Sequence, residues 1–97
     1  MNNLVDDMSQ AAIDVLAERR RQTDEEGWTA DHDDEYTKGQ LAAAATCYVT
    51  GFPLYWPWLR SWWKPTTRRR NLVKAGALIL AEIERLDRAT AVKKEST

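Results

Sequence analysis

The sequence predicts an all-α fold, a compact three-helix domain with a Trp- and Pro-rich connection between its second and third helices. Apolar residues recur at three- and four-residue spacing near both ends of the chain, an alanine-rich segment lies between them, and Pro53, Pro57 and Pro65 bar a continuous helix where the aromatic residues cluster.

The first helix is expected from about Leu4 to Glu25. Leu4 or Val5, Met8, Ala12, Ile13 and Leu16 turn one stripe toward a core, and Gly27 stops the helix. Beyond Leu16 the pattern is wholly polar, so the last turns are expected to project from the core or to meet the acidic loop that follows. Thr37 and Gln40 have capping-box spacing for a second helix, which carries Leu41, Ala44, Ala45 and Tyr48 on one face and ends near Gly51. Thr66 or Thr67 caps a third helix reaching about Ala89. Leu72, Gly76, Ile79, Leu80, Ile83 and Leu86 form its core stripe, and Glu84 and Arg88 form an i,i+4 pair. A glycine inside that stripe costs about 1 kcal/mol against alanine, so Gly76 is expected at a close helix contact. Residues 1–90 form one domain and 91–97 a frayed tail.

Within 97 residues there is room for one core, and a chain this short buries only about 60 to 65% of its unfolded surface. A homo-oligomer is therefore expected, because a shared interface adds apolar burial. The net charge of −1 gives no overall field for coating nucleic acid, and no sequence-specific nucleic-acid partner is expected. Cys47 is the only cysteine; set among alanines, it reads as a small buried hydrophobe and suits a reducing compartment. Nothing marks the N-terminus for secretion, and no apolar run approaches the roughly 20 residues of a membrane span. The expected location is the cytoplasm.

Charge is segregated along the chain. From Asp24 to Glu35 every fully charged residue is acidic, and from Arg60 to Lys74 every one is basic. Arg68, Arg69 and Arg70 would open the third helix, where cations oppose the helix macrodipole by about 0.3 to 1 kcal/mol each, so an anion is expected to compensate. Lys64, Arg69 and Arg70 at a helix N-terminus suit a phosphate, and Trp63 suits a stacked ring. Alternatively the anion is the protein's own Asp33, Asp34 and Glu35, with the tryptophans filling a core short of Phe and Leu. Contact of the Trp and Lys cluster with a membrane surface is a third reading. His32 among carboxylates is chemically able to hold a metal or exchange protons, but no second histidine exists and the spacing is not that of a calcium loop. A salt-bridged acidic loop is the simpler reading, and no metal ligand, cofactor or catalytic residue is assigned. Glycine-rich phosphate loops and nucleophile elbows are missing.

Glu18-Arg19-Arg20-Arg21-Gln22 with Glu26-Gly27-Trp28-Thr29 and His32-Asp33-Asp34 form one block; Trp62-Trp63-Lys64-Pro65 and the run from Arg69 to Asp87 form a second. Together they resemble a family of short proteins encoded by bacteriophages and prophages. The resemblance implies an accessory protein acting on a bacterial host, for instance by sequestering nucleotide signals or blocking immune complexes. The Glu-Arg stretch followed by Gly-Trp is also faintly similar to the ryanodine-receptor repeat domain, over too short a span to transfer any residue's role.

The leading expectation is therefore a non-catalytic phage accessory protein that binds an anionic, nucleotide-like small molecule. Trp63 would stack, Lys64, Arg69 and Arg70 would hold phosphate, and Trp28, His32 and Asp33 would contact polar edges. One alternative is an inhibitor or adaptor that docks on a host protein through exposed Trp and Arg. Another is a metal-dependent nucleotide pyrophosphohydrolase using loop carboxylates with Glu82, Glu84 or Asp87.

Overall fold

The structure, a computed structural model, describes residues 7–96. Among them are four α-helices and no strand: α1 (Gln10–Asp24), α2 (Ala30–Asp33), α3 (Gln40–Thr50) and α4 (Arg68–Ser96), with a single 3-10 turn at Arg60–Trp62. The fold is all-α, as the sequence predicts. The additional helix, α2, lies inside the acidic loop, where Thr29 caps it by accepting the His32 N–H and Asp31 and Asp33 favour its N-terminal dipole.

Helix α1 begins later than expected, because Ser9 accepts the Ala12 N–H at 3.1 Å and caps it. Leu4 and Val5, where the predicted helix starts, lie outside the described residues. Gly27 reverses the chain at φ +75°, and the Trp28 N–H returns to the Gln22 carbonyl at 3.0 Å. The expected capping box at α3 does not form. Gly39, left-handed at φ +80°, occupies the cap position, so Thr37 is too far back and Gln40 accepts from the Lys38 N–H instead. At α4 the cap is Thr67, whose hydroxyl accepts the Arg70 N–H at 3.1 Å, while Asn71 accepts the Thr66 N–H at 2.7 Å. The helix continues past the expected end at Ala89, reaching Ser96.

The core forms between α3 and α4. Leu41, Ala44, Ala45 and Tyr48 pack on Ala75, Leu78 and Ala81, the small side chains letting the helices approach. Cys47 is buried, its thiol donating to the Leu54 carbonyl, and burial pushes its pKa up. Over one edge the connection folds back as an aromatic layer: Trp63 lies 4.7 Å from Tyr48, Trp56 5.2 Å from Trp63, and Trp58 5.3 Å from Trp56. These rings supply the apolar volume that α3, with its alanines, lacks.

Both expected core stripes are corrected. In α1 the fully buried residues are Glu18 and Gln22, whereas Ile13 and Leu16 are exposed. In α4 the buried face is Val73, Ala75, Ala77, Leu78 and Ala81, and Leu72, Ile79, Ile83 and Leu86 are exposed. Gly76 does mark a close contact: a Cβ there would lie 3.2 Å from both Val15 methyls, so α1 crosses α4 at that point.

Candidate functional site

Glu18 organises the site. Arg21, one turn along α1, grips its carboxylate with Nε at 2.8 Å and Nη2 at 2.9 Å; Gln22 adds its amide at 3.2 Å, and Arg70 of α4 binds from the other side. Burial alone would raise the carboxyl's pKa. The Arg21 bonds, reinforced by the charges of Arg21 and Arg70, outweigh burial and hold it below its ordinary value. Arg21 also reaches Glu26 at 3.0 Å, tying α1 to the turn that follows it.

Above this network opens a cleft of about 180 Å³. Its aromatic walls are Trp28, Tyr48 and Trp62, and its polar lining is Glu18, Arg21, Gln22, Glu26, Lys64 and Lys74. The Lys74 ammonium donates to the Lys64 carbonyl at 2.8 Å and lies 5.5 Å from the Tyr48 ring centre. Burial, with the charge of Arg70 added, lowers the Lys74 pKa. Burial likewise raises that of Tyr48, whose hydroxyl accepts the Lys64 N–H. Counting Arg70 behind the cleft, four cations face two carboxylates, a surplus of two positive charges. One polar atom is left over: Gln22 is 2% exposed and its side-chain oxygen has no hydrogen-bond partner. A buried acceptor left unpaired costs about 1 to 3 kcal/mol, a cost that a donor reaching Gln22, itself part of the cleft lining, would remove.

Comparison with known protein families, curated proteins and solved structures finds no match. The assignment of the site therefore rests on its geometry.

Of the seven residues grouped by sequence reasoning, Trp28 and Lys64 line the cleft, and Arg70 braces Glu18 behind it. The remaining four lie elsewhere. Trp63 is packed against Tyr48 and Trp56, and its neighbour Trp62 takes the wall position. Arg69 pairs with Asp14 at 2.8 Å on the outer side. His32 and Asp33 sit on α2, where Asp33, fully buried, receives Arg19 at 3.1 Å and His32 at 3.2 Å. The arginines that open α4 do find the protein's own anions, but these are Asp14 and Glu18 of α1 instead of the acidic loop, while Arg68 donates to the Val49 carbonyl at the C-terminal end of α3. The loop's Asp34 pairs with Arg88, which displaces the expected Glu84–Arg88 pair; Glu84 takes Arg19 at 3.0 Å.

A second, wider depression of about 280 Å³ beside Asp34, Arg85 and Arg88 has its charges already matched, Asp34 by Arg88 and Arg85 by Glu82. Among the described residues no three metal-ligating side chains converge. No helix among them is long and apolar enough to cross a membrane. Sequence reasoning missed Glu18, Arg21, Gln22, Glu26, Tyr48, Trp62 and Lys74 as site residues. The available signal was the i, i+3, i+4 set Glu18, Arg21, Gln22, which shares one helical face.

Proposed function

We propose that this chain binds, without catalysis, an anionic nucleotide-like molecule in the cleft between Trp28, Trp62 and Lys74, in the setting of a phage accessory protein. The observation that carries the reading is the buried, unpaired Gln22 oxygen in the wall of a cleft with surplus positive charge. A base edge bearing N–H groups would satisfy that oxygen. Trp62, 47% exposed, offers a ring worth about 1 to 3 kcal/mol per stacked base, and an anion near Lys74 would relieve the environment that lowers its pKa. At about 180 Å³ the cleft is smaller than the roughly 300 to 1,000 Å³ of drug-sized sites, so it takes one ring, with phosphate left at the rim beside Lys64. Calorimetric titration of the chain against cyclic dinucleotides, ADP-ribose derivatives and mononucleotides tests this; uniform silence removes the idea. If a ligand binds, Gln22→Leu and Trp62→Ala should each weaken it at least tenfold while Arg69→Ala leaves it unchanged.

A second reading, docking on a host protein, draws support from the apolar side chains at the tip of the connection. Phe52, Leu54, Tyr55 and Leu59 are 68 to 81% exposed. They, rather than the mostly packed indoles and paired arginines, would be the anchors, and co-purification lost on Phe52→Ser and Tyr55→Ser would favour this reading. Of the carboxylates the pyrophosphohydrolase reading needs, Glu82 and Glu84 are held by Arg85 and Arg19, and Asp87 belongs to no group of three metal-ligating side chains among the described residues.

A further inference from the structure

Helix α4 has a second apolar face that the other described residues leave largely exposed. Leu72, Ile79, Ile83 and Leu86 are 41, 46, 48 and 50% exposed. With Gly76 between the first two, the positions 72, 76, 79, 83 and 86 alternate steps of four and three, the seam spacing of helices that pair along their length. One exposed leucine means little, but a line of four large aliphatics on a single helix marks a contact surface. Where α1 crosses at Gly76, it adds Ile13 and Leu16, which flank Val15 in sequence and are 37 and 50% exposed.

Charge decides what covers this face. Arg69 and Asp87 are eighteen residues apart, five full turns, so they border the same side of the seam at opposite ends. Asp87 has no ion-pair partner among the described residues, and Arg69, 60% exposed, holds only the surface carboxylate of Asp14. In a second copy laid parallel, Arg69 and Asp87 stay at opposite ends of the seam and do not meet. Laid antiparallel, Leu72 meets Leu86 of the second copy, Ile79 meets its own counterpart, and Arg69 falls beside Asp87 of the second copy. The face is thus complementary to itself, as a two-fold interface must be.

The shape agrees. The chain is a slab of 46 × 46 × 22 Å with a radius of gyration of 14.7 Å, against about 12.5 Å for a compact domain of this length. Its accessible surface of 6807 Å² exceeds by roughly 1,100 Å² that of a compact monomer of 11.2 kDa, and a standard interface takes about 800 Å² from each partner.

We infer that two copies of the chain pair through α4, antiparallel about a two-fold axis passing beside Ile79. Lys74 lies five residues from Ile79, far around the helix from the seam, so the cleft stays open in the dimer and the two proposals stand or fall separately. Sedimentation equilibrium of the full chain should give twice 11.2 kDa, and Ile79→Glu should return it to the monomer mass with its helical circular dichroism unchanged. Single cysteines in a Cys47→Ala background fix the register under mild oxidation. Ile79→Cys should cross-link to itself, and Leu72→Cys should cross-link to Leu86→Cys only when the two are mixed. A monomer at high micromolar concentration, which would leave the face to some other occupant, overturns the inference; so do a higher oligomer and self-cross-linking of Leu72→Cys.

Discussion

Replacing Glu18 by Gln tests whether the network under the cleft holds the fold together. The side chain is fully buried and receives Arg21 through two nitrogens at 2.8 and 2.9 Å, Gln22 at 3.2 Å, and Arg70. Gln keeps the shape but removes the charge and one acceptor oxygen. Breaking a fully buried ion pair costs about 3 to 5 kcal/mol. Arg21 and Arg70 are 34 and 41% exposed and can regain water, so the expected loss is smaller, about 2 to 3 kcal/mol. For a domain of this size that lowers Tm by roughly 10 to 20 °C. Urea unfolding followed by tryptophan fluorescence measures it. The acid limb gives an independent check. The folded pKa of Glu18 lies below 4.5, so the unfolded chain takes up the proton first; the stabilisation is complete above 4.5 and is lost as pH falls through the lower folded value. The stability difference between wild type and Glu18→Gln should therefore shrink on acidification below 4.5. A loss under about 0.5 kcal/mol at neutral pH, or a difference that does not change with acid, refutes the reasoning.

Arg19→Met strips the buried Asp33 of its guanidinium, leaving His32 beside it, and should cost about 2 to 4 kcal/mol by urea unfolding. Gly76→Ala gains about 1 kcal/mol of helix propensity but crowds the Val15 methyls at 3.2 Å; the gain should appear in full only in a Val15→Ala background, a coupling read from a double-mutant cycle. Tyr55 is a non-glycine residue at φ +68° and is 81% exposed, so Tyr55→Gly should stabilise the chain by about 0.5 to 1 kcal/mol in thermal melts. Any anion bound in the cleft should bind more weakly as pH rises through the Lys74 pKa, which lies below 10.5. Lys74→Met should abolish that dependence in calorimetry.

The three longer helices were legible, unlike the short α2, because they depend on local spacing. The α3 face from Leu41 to Tyr48, the Thr67 cap and the Gly76 contact all follow from residues within one or two turns of each other. Which face turns inward was not, because it depends on distant partners. A carboxylate at position 18 reads as surface in any window of the sequence; it is buried because Arg70, fifty-two residues away, meets it beside Arg21. The site followed the same logic, since Glu18, Gln22 and Lys74 acquire a role only once α1 crosses α4, and Trp62 lines the cleft because its neighbour Trp63 is taken by Tyr48.

The inversion of α1 also connects the two proposals. Turning Glu18 and Gln22 inward builds the floor of the cleft and, by the same rotation, turns Ile13 and Leu16 out beside the bare face of α4. An α1 rotated to bury those two aliphatics would close the apolar face and abolish the cleft together. In a small domain that orientation would be favoured by roughly 25 cal/mol per Å² of apolar burial unless a second copy covers the outward face. If α4 pairs as inferred, the second copy covers these aliphatics, and Ile79→Glu, by leaving them in water, should lower the thermal stability of the resulting monomer without closing the cleft.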